Sequence, residues 1–361
     1  MKRNGKIELL RFIFCMGVLF FHIDKYLLHA PVYNLGPIKL SFFHHGAMGV
    51  EFFFLVSGFF MARSVYRQLS AGSIELADKS VAKNSLMFMK KKYFSIFPQH
   101  LVAFAISFVA YTLLNKTGII STVLNLFKSI PNIFLFQMSG AMLKNPNHLE
   151  WYISAMLLVM AIIYPILLKH YYKYTRYIGP IIALFLLGFC QATTNKLTGV
   201  YDWAGIAYKS MLRAFAEITL GTTAFEISRY LSKIEFSKAK KWLFTLIELV
   251  FLGVSLFYIV STVKASFEII ELSMLFVVVI IAMSPITIKP DICDNKLCYF
   301  LGSYSLPIYL AQCAAIYLCE AYFMEQRMII KIAVCCAFTA VFAVIVKLFG
   351  DLLKKKVFDK I

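Results

Sequence analysis

Long apolar runs alternate with short basic stretches along this chain. A helix that crosses a bilayer needs about 20 mostly apolar residues. Windows of that kind fall near 8–28, 46–64, 97–115, 150–168, 177–193, 208–228, 242–262, 268–286, 300–320 and 328–349. The pattern predicts an all-α polytopic membrane protein of about ten transmembrane helices. The polar stretches between windows follow a rule. After the second, fourth, sixth and eighth windows come the run from Arg67 to Lys92, "KHYYKYTR", "RYLSKIEFSKAKK" and "KPDICDNK", and Lys354–Lys356 stand near the C-terminus. The opposite loops hold scattered Lys39, Lys116, Lys128, Lys144, Lys196, Lys264 and a few near Arg327. One side carries roughly three times as many basic residues as the other, and basic loops stay in the cytoplasm. Both termini are therefore expected to be cytoplasmic, in a multi-pass protein of the cytoplasmic membrane.

Two stretches need separate treatment. Met1, Lys2, Arg3 and Lys6 look like the basic start of a signal peptide, but "HIDKYLLHAPVY" offers no small-x-small cleavage site. The first window is expected to be retained. Residues 116–148 are apolar enough to tempt an eleventh span, yet Lys128, Pro131 and Asn132 interrupt them. Counting them would invert every later loop, so an outer-face or re-entrant segment is expected. With no internal repeat and no linker, residues 1–361 read as a single transmembrane domain without a soluble one.

Composition narrows the class. The chain is 60% hydrophobic and 16% charged, against about half and a quarter in soluble domains. A net charge of +18 would suit nucleic acid, but the basic residues follow the loop rule, and no nucleic-acid partner is expected. Cys15, Cys190, Cys313, Cys319, Cys335 and Cys336 lie in apolar segments. Cys293 and Cys298 share a loop, but no second pair or His cluster completes a zinc pattern. Neither a metal site nor a disulfide framework is expected.

Ionisable groups inside a membrane are costly, and each is a functional candidate. They are Arg11, His22, Asp24, Glu51, Arg213, Glu217, Glu248 and Glu320. In "RFIFCMGVLFFH", Arg11 and His22 are close to three helical turns apart, so they share a face at about 16 Å separation. Taken alone they also fit a snorkelling arginine and a hydrogen-bonded interfacial histidine. The second window, "GAMGVEFFFLVSGFFMARS", sets Glu51 at a depth similar to His22, and Gly49, Ser57 and Gly58 permit close helix approach. In "MKKKYFSIFPQH", Lys90–Lys92 serve as topology anchors or as a phosphate-binding cluster.

In order and spacing these pieces resemble the acyltransferase-3 family of integral membrane acyltransferases, over nearly the whole chain. The family's first span carries a basic residue, ten residues, then a histidine, matched by Arg11 and His22. Its "V-[DE]-x-FF-x-x-SG[FY]" motif matches Val50, Glu51, Phe53, Phe54, Ser57, Gly58 and Phe59. "KKYFSIFP" is similar to its "R-I-x-P" entry, with Ser95 where arginine is usual. Trp151, Tyr152, Ile153 and Ser154 match a helix start, and Arg213, Glu217 and Gly221 match an "R-x-x-x-[EF]-x-x-x-G" helix. "LGSYSLPIYLAQ" is similar to a late motif, with Gln312 where histidine is common.

The resemblance implies transfer of an acetyl or other short acyl group from cytosolic acetyl-CoA (acyl-CoA) to a hydroxyl of a surface glycan or lipid-linked saccharide. Arg11 with Lys91 and Lys92 would hold the phosphorylated end of the donor. Arg213 is a further candidate for donor binding or for the oxyanion, with Ser57, Trp151 and Tyr152 as pocket residues. His22 is the candidate general base, oriented by Glu51, and an acyl-histidine intermediate stays open. Lipids and the glycan acceptor are the expected partners; oligomeric state is not readable. The rival readings are a multi-span secondary transporter or exporter of a glycan or small molecule, and a non-catalytic scaffold. Transporters often show internal repeats and helices interrupted at matching positions; this sequence shows no repeat, and its Gly/Pro breaks do not pair between halves.

Overall fold

The computed structural model describes residues 3–36, 38–72, 78–141 and 144–357. Met1 and Lys2 of the basic N-terminal run, and residues 142–143 of the interrupted segment, lie outside the described residues. The helices are α1 (Gly5–Ile23), α2 (Gly49–Ser70), α3 (Asp78–Asn115), α4 (Ile119–Lys128), α5 (Ile130–Ile133), α6 (Trp151–Lys173), α7 (Gly179–Thr194), α8 (Lys209–Leu231), α9 (Lys238–Val260), α10 (Glu268–Ala282), α11 (Lys296–Tyr322) and α12 (Met328–Lys356). Two small antiparallel hairpins interrupt the helical pattern: β1 (Tyr33–Leu35) with β2 (Ile38–Leu40), and β3 (Trp203–Ala204) with β4 (Ala207–Tyr208).

Each predicted window falls on one of these helices. Among the described residues, six helical stretches have the length and apolarity to cross a membrane: 46–70, 78–115, 148–194, 238–260, 265–282 and 328–356. Helices α1 and α8 carry several charged residues within their length, among them Glu8 and Arg11, and Arg213 and Glu217. Local signals explain several starts. Asn4, Ser237 and Asn295 cap α1, α9 and α11 by accepting a hydrogen bond from the third residue onward.

The interrupted segment forms α4, α5 and short 3-10 turns. At ten residues, α4 is about 15 Å long, half of a hydrocarbon core. Ile119, Ile120, Val123, Leu124 and Phe127 leave its apolar side uncovered by protein. The segment is tied inward by His100, whose Nε2 faces the carbonyl oxygens of Asn132 (3.1 Å) and Ile133 (3.0 Å). The Nδ1 of His100 meets Glu150 at 2.6 Å, with both side chains fully buried.

The tightest helix pair is α2 with α8. A Cβ on Gly58 would collide with the backbone of Ile218, and one on Gly221 with the backbone of Leu55. The two glycines face each other, which lets the backbones touch. Two turns earlier on α2, Glu51 meets Arg213 of α8. The helices therefore run parallel, and the two sequence motifs that contain these residues are the two sides of one interface. Elsewhere α1 packs along α11, and α11 packs along α3 and α12.

Candidate active site

Helix α1 is unbroken from Arg11 to His22, so its rise places them about 16 Å apart along one side. Each end opens into its own chamber. The chamber at the Arg11 end has a volume of about 250 Å³ and is lined by Arg11, Phe53, Ser57, Lys92, Ile96 and Tyr152, among others. A recess of about 240 Å³ adjoins it, sharing Arg11, Ser95 and Leu306 and adding Gln99, Ser303 and Lys354. The Arg11 guanidinium is only loosely engaged. Its Nη1 lies 3.5 Å from Glu8, which Arg3 holds more closely at 2.9 Å. Lys92 faces the chamber, whereas Lys91 is exposed and is not among its walls. The reason is helical: adjacent residues on α3 point about 100° apart.

The chamber at the His22 end is larger, about 510 Å³. Its walls include His22, Tyr26, His148, Trp151, Arg213 and Tyr309. His22 is 8% exposed, and its Nδ1 lies 3.1 Å from the Oε1 of the buried Gln312. With the amide oxygen turned toward the ring, Nδ1 donates and Nε2 keeps its lone pair. That is the tautomer a general base requires. The amide nitrogen of Gln312 has no hydrogen-bond partner among the described residues. A second histidine, His148, is held between the phenols of Tyr26 (3.0 Å) and Tyr317 (3.1 Å).

Glu51 was expected to orient His22; the structure assigns that position to Gln312. Glu51 is fully buried and its Oε1 lies 3.3 Å from Arg213 Nη1. Glu217 approaches Arg213 Nε at 3.6 Å, and the guanidinium sits 5.2 Å above the Trp151 ring. The carboxylate turns from His22 because a full guanidinium charge in a buried setting is the stronger partner. Arg213 likewise belongs to the His22 chamber, not to the Arg11–Lys92 chamber where donor binding was expected. Ser57 and Tyr152 line the Arg11 side, with their hydroxyls 3.4 Å apart, while Trp151 lines the His22 side. Asp24 accepts a hydrogen bond from the Ala30 amide at 2.8 Å and shapes the turn after α1. Glu248 pairs with Lys6 at 2.6 Å, and Glu320 is exposed.

A strand of chain between α7 and α8 walls the His22 chamber with Lys196, Thr198, Gly199, Val200, Tyr201 and Asp202. It is pinned from below by two buried groups. Lys209 donates to the Lys196 carbonyl at 2.5 Å and also reaches Thr194 and Thr198. Glu268 accepts from the Thr198 amide at 2.8 Å and from its hydroxyl at 2.7 Å. The chamber wall is thus built, not left to a free loop.

A membrane-embedded helical protein follows from these features, with one chamber beside Arg11 and another beside His22 on its first helix. A family model described as an acyltransferase domain matches residues 4–348. The chain belongs to this family, acyltransferase-3, and family membership implies acyltransferase activity. No curated protein and no solved structure matches it.

Proposed function

We propose that the protein is an O-acyltransferase of the cytoplasmic membrane that moves an acetyl group from acetyl-CoA to a hydroxyl of a cell-surface or lipid-linked saccharide. The observation that carries this reading is the pair of chambers on one helix. A cationic chamber holds Arg11 and Lys92, and the other holds a neutral-tautomer histidine about 16 Å away. An extended pantetheine arm has a comparable length. Arg11 and Lys92 hold the donor's phosphates through charge-assisted hydrogen bonds, with the adjoining recess available to the nucleotide. The thioester then lies beside His22.

A sugar hydroxyl is a weak nucleophile, and Nε2 of His22 takes its proton as oxygen attacks the thioester carbon. Gln312 keeps the ring in the required tautomer and orientation, the part a carboxylate plays in other base-orienter pairs. The oxyanion is stabilised by Arg213, whose Nη1 and Nε face Glu51 and Glu217 while the guanidinium lines the chamber. Collapse breaks the carbon–sulfur bond, and His22 returns the proton to the CoA sulfur.

The test is deletion of the gene in its host, followed by measurement of ester-linked acetyl on purified surface polysaccharides. Wild type should restore an acetyl ester that the deletion removes, and His22→Ala should not. Unchanged acetylation of every glycan on deletion would refute the acceptor class. Full complementation by His22→Ala would refute the base.

A further inference from the structure

Helices α1, α2, α6 and α11 each line both chambers, yet the chambers share no lining residue among the described residues. Phe53 and Tyr152 face the Arg11 side; Val50, Trp151 and Tyr309 face the His22 side. Between them lies a layer of rings. The Tyr152 centroid is 5.8 Å from Phe53 and 5.7 Å from Tyr309, the latter pair set edge-to-face at 81°. Rings at that spacing are in contact, so the three side chains stack across the line from one chamber to the other. All three are buried. They are not equally fixed. The Tyr309 phenol donates to the Leu149 carbonyl, whereas the Tyr152 hydroxyl has Ser57 at 3.4 Å and the Met156 sulfur at 3.5 Å. Tyr152 is the ring with the weaker tether.

The His22 chamber does not itself restrict the acyl group to two carbons. At about 510 Å³ it lies in the range that admits drug-sized ligands. We propose that the Phe53–Tyr152–Tyr309 layer is the selector for acyl width: a linear acyl thioester threads past a turned Tyr152, and a branched or aromatic one stops at the layer. The inference rests on the assignment of the Arg11–Lys92 chamber to the donor. It separates two properties that one pocket usually combines. The layer admits the acyl group, and the chamber beyond it receives the acceptor.

Two experiments test it. Host membranes carrying each variant receive radiolabelled acetyl-CoA or isobutyryl-CoA, and label in polysaccharide is counted. Wild type should prefer acetyl. Tyr152→Ala and, separately, Phe53→Ala should raise the isobutyryl-to-acetyl ratio about tenfold or more, and Tyr152→Phe should leave it unchanged. An unchanged ratio in both alanine variants overturns the proposal. The second experiment does not depend on transfer. Val18→Cys, on the His22 side, is placed in a chain whose eight native cysteines are replaced. A small impermeant thiol reagent is applied to sealed vesicles from the Arg11 side. Labelling should be slow with Tyr152 present and fast with Tyr152→Ala. Equal rates overturn the partition. Unaltered acetyl-CoA affinity in Arg11→Ala, with the labelling difference at Val18→Cys intact, overturns the donor assignment alone.

Discussion

Replacing Arg213 with methionine should destabilise the protein strongly, and replacing Glu51 as well should return much of the loss. The guanidinium is 2% exposed and both carboxylates are fully buried. At an effective dielectric of about 20, a contact of 3.3 Å gives ~5 kcal/mol of attraction and one of 3.6 Å about the same. Desolvation of the three groups, together with the repulsion between the neighbouring Glu51 and Glu217, offsets most of that sum. What Arg213→Met exposes is the uncompensated part: two carboxylates left in a buried site, a loss of ~3–5 kcal/mol. For a chain of this size each kcal/mol shifts the melting point by about 2 °C, so a fall of about 6–10 °C is expected. The assay is thermal unfolding in detergent, followed by size-exclusion recovery. Glu51→Gln in the Arg213→Met background removes one orphaned charge and should recover about half the shift. A melting point for Arg213→Met within about 1 °C of wild type would refute the energetic role assigned to this pair.

Gln312→Leu should lower kcat/KM about 10- to 100-fold with little change in KM for acetyl-CoA, because it frees the tautomer without touching the donor chamber; steady-state kinetics at several pH values check it. Arg11→Ala should weaken acetyl-CoA binding about tenfold, as loss of one charge-assisted contact implies, read by calorimetry on the purified protein; unaltered affinity removes Arg11 from that role. Gly58→Ala should cost about 2–3 kcal/mol, at the upper end of overpacking penalties, because the obstacle is the Ile218 backbone and not a movable side chain; thermal stability and membrane yield report it. Lys209→Met should leave donor binding intact while raising KM for the acceptor, since Lys209 supports the 196–202 wall and is absent from the Arg11 chamber.

The helices were legible in the sequence because bilayer length and basic loops impose a coarse, strong signal. The spacing of Arg11 and His22 was legible as well, since a single straight helix fixes it with no tertiary knowledge. What escaped were partnerships across helices. Depth alone matches Glu51 to His22, and depth does not tell which neighbouring helix a side chain faces. The interface of α2 with α8 decides that, and its trace in the sequence is faint: Glu51 lies seven residues before Gly58 on one helix and Arg213 eight before Gly221 on the other, about two turns in each. Gln312 carries no such signal, because an uncharged amide stands where a histidine is common. The buried His100 and Glu150 and the half-buried His148 pack at a segment that periodicity does not place, so their positions have no local signature. Lys91 and Lys92 were indistinguishable as a run, and only the helical phase of α3 separates them.

The parallel seam between α2 and α8 also bears on how the protein is made. Glu51 enters the membrane with the second helix, and its guanidinium is encoded about 160 residues later. At ordinary rates of synthesis that gap lasts roughly 8–30 s. Throughout it, the nascent helix carries a carboxylate that hydrocarbon rejects and a glycine face with nothing against it. Such a helix gains by staying beside the insertion machinery until α8 arrives. The α2–α8 seam is therefore expected to close out of the order of synthesis: the second helix waits for the eighth before Glu51 meets Arg213. Chains truncated before residue 213 should be retained at the translocon and degraded, while chains ending after Gly221 should be the first to leave it.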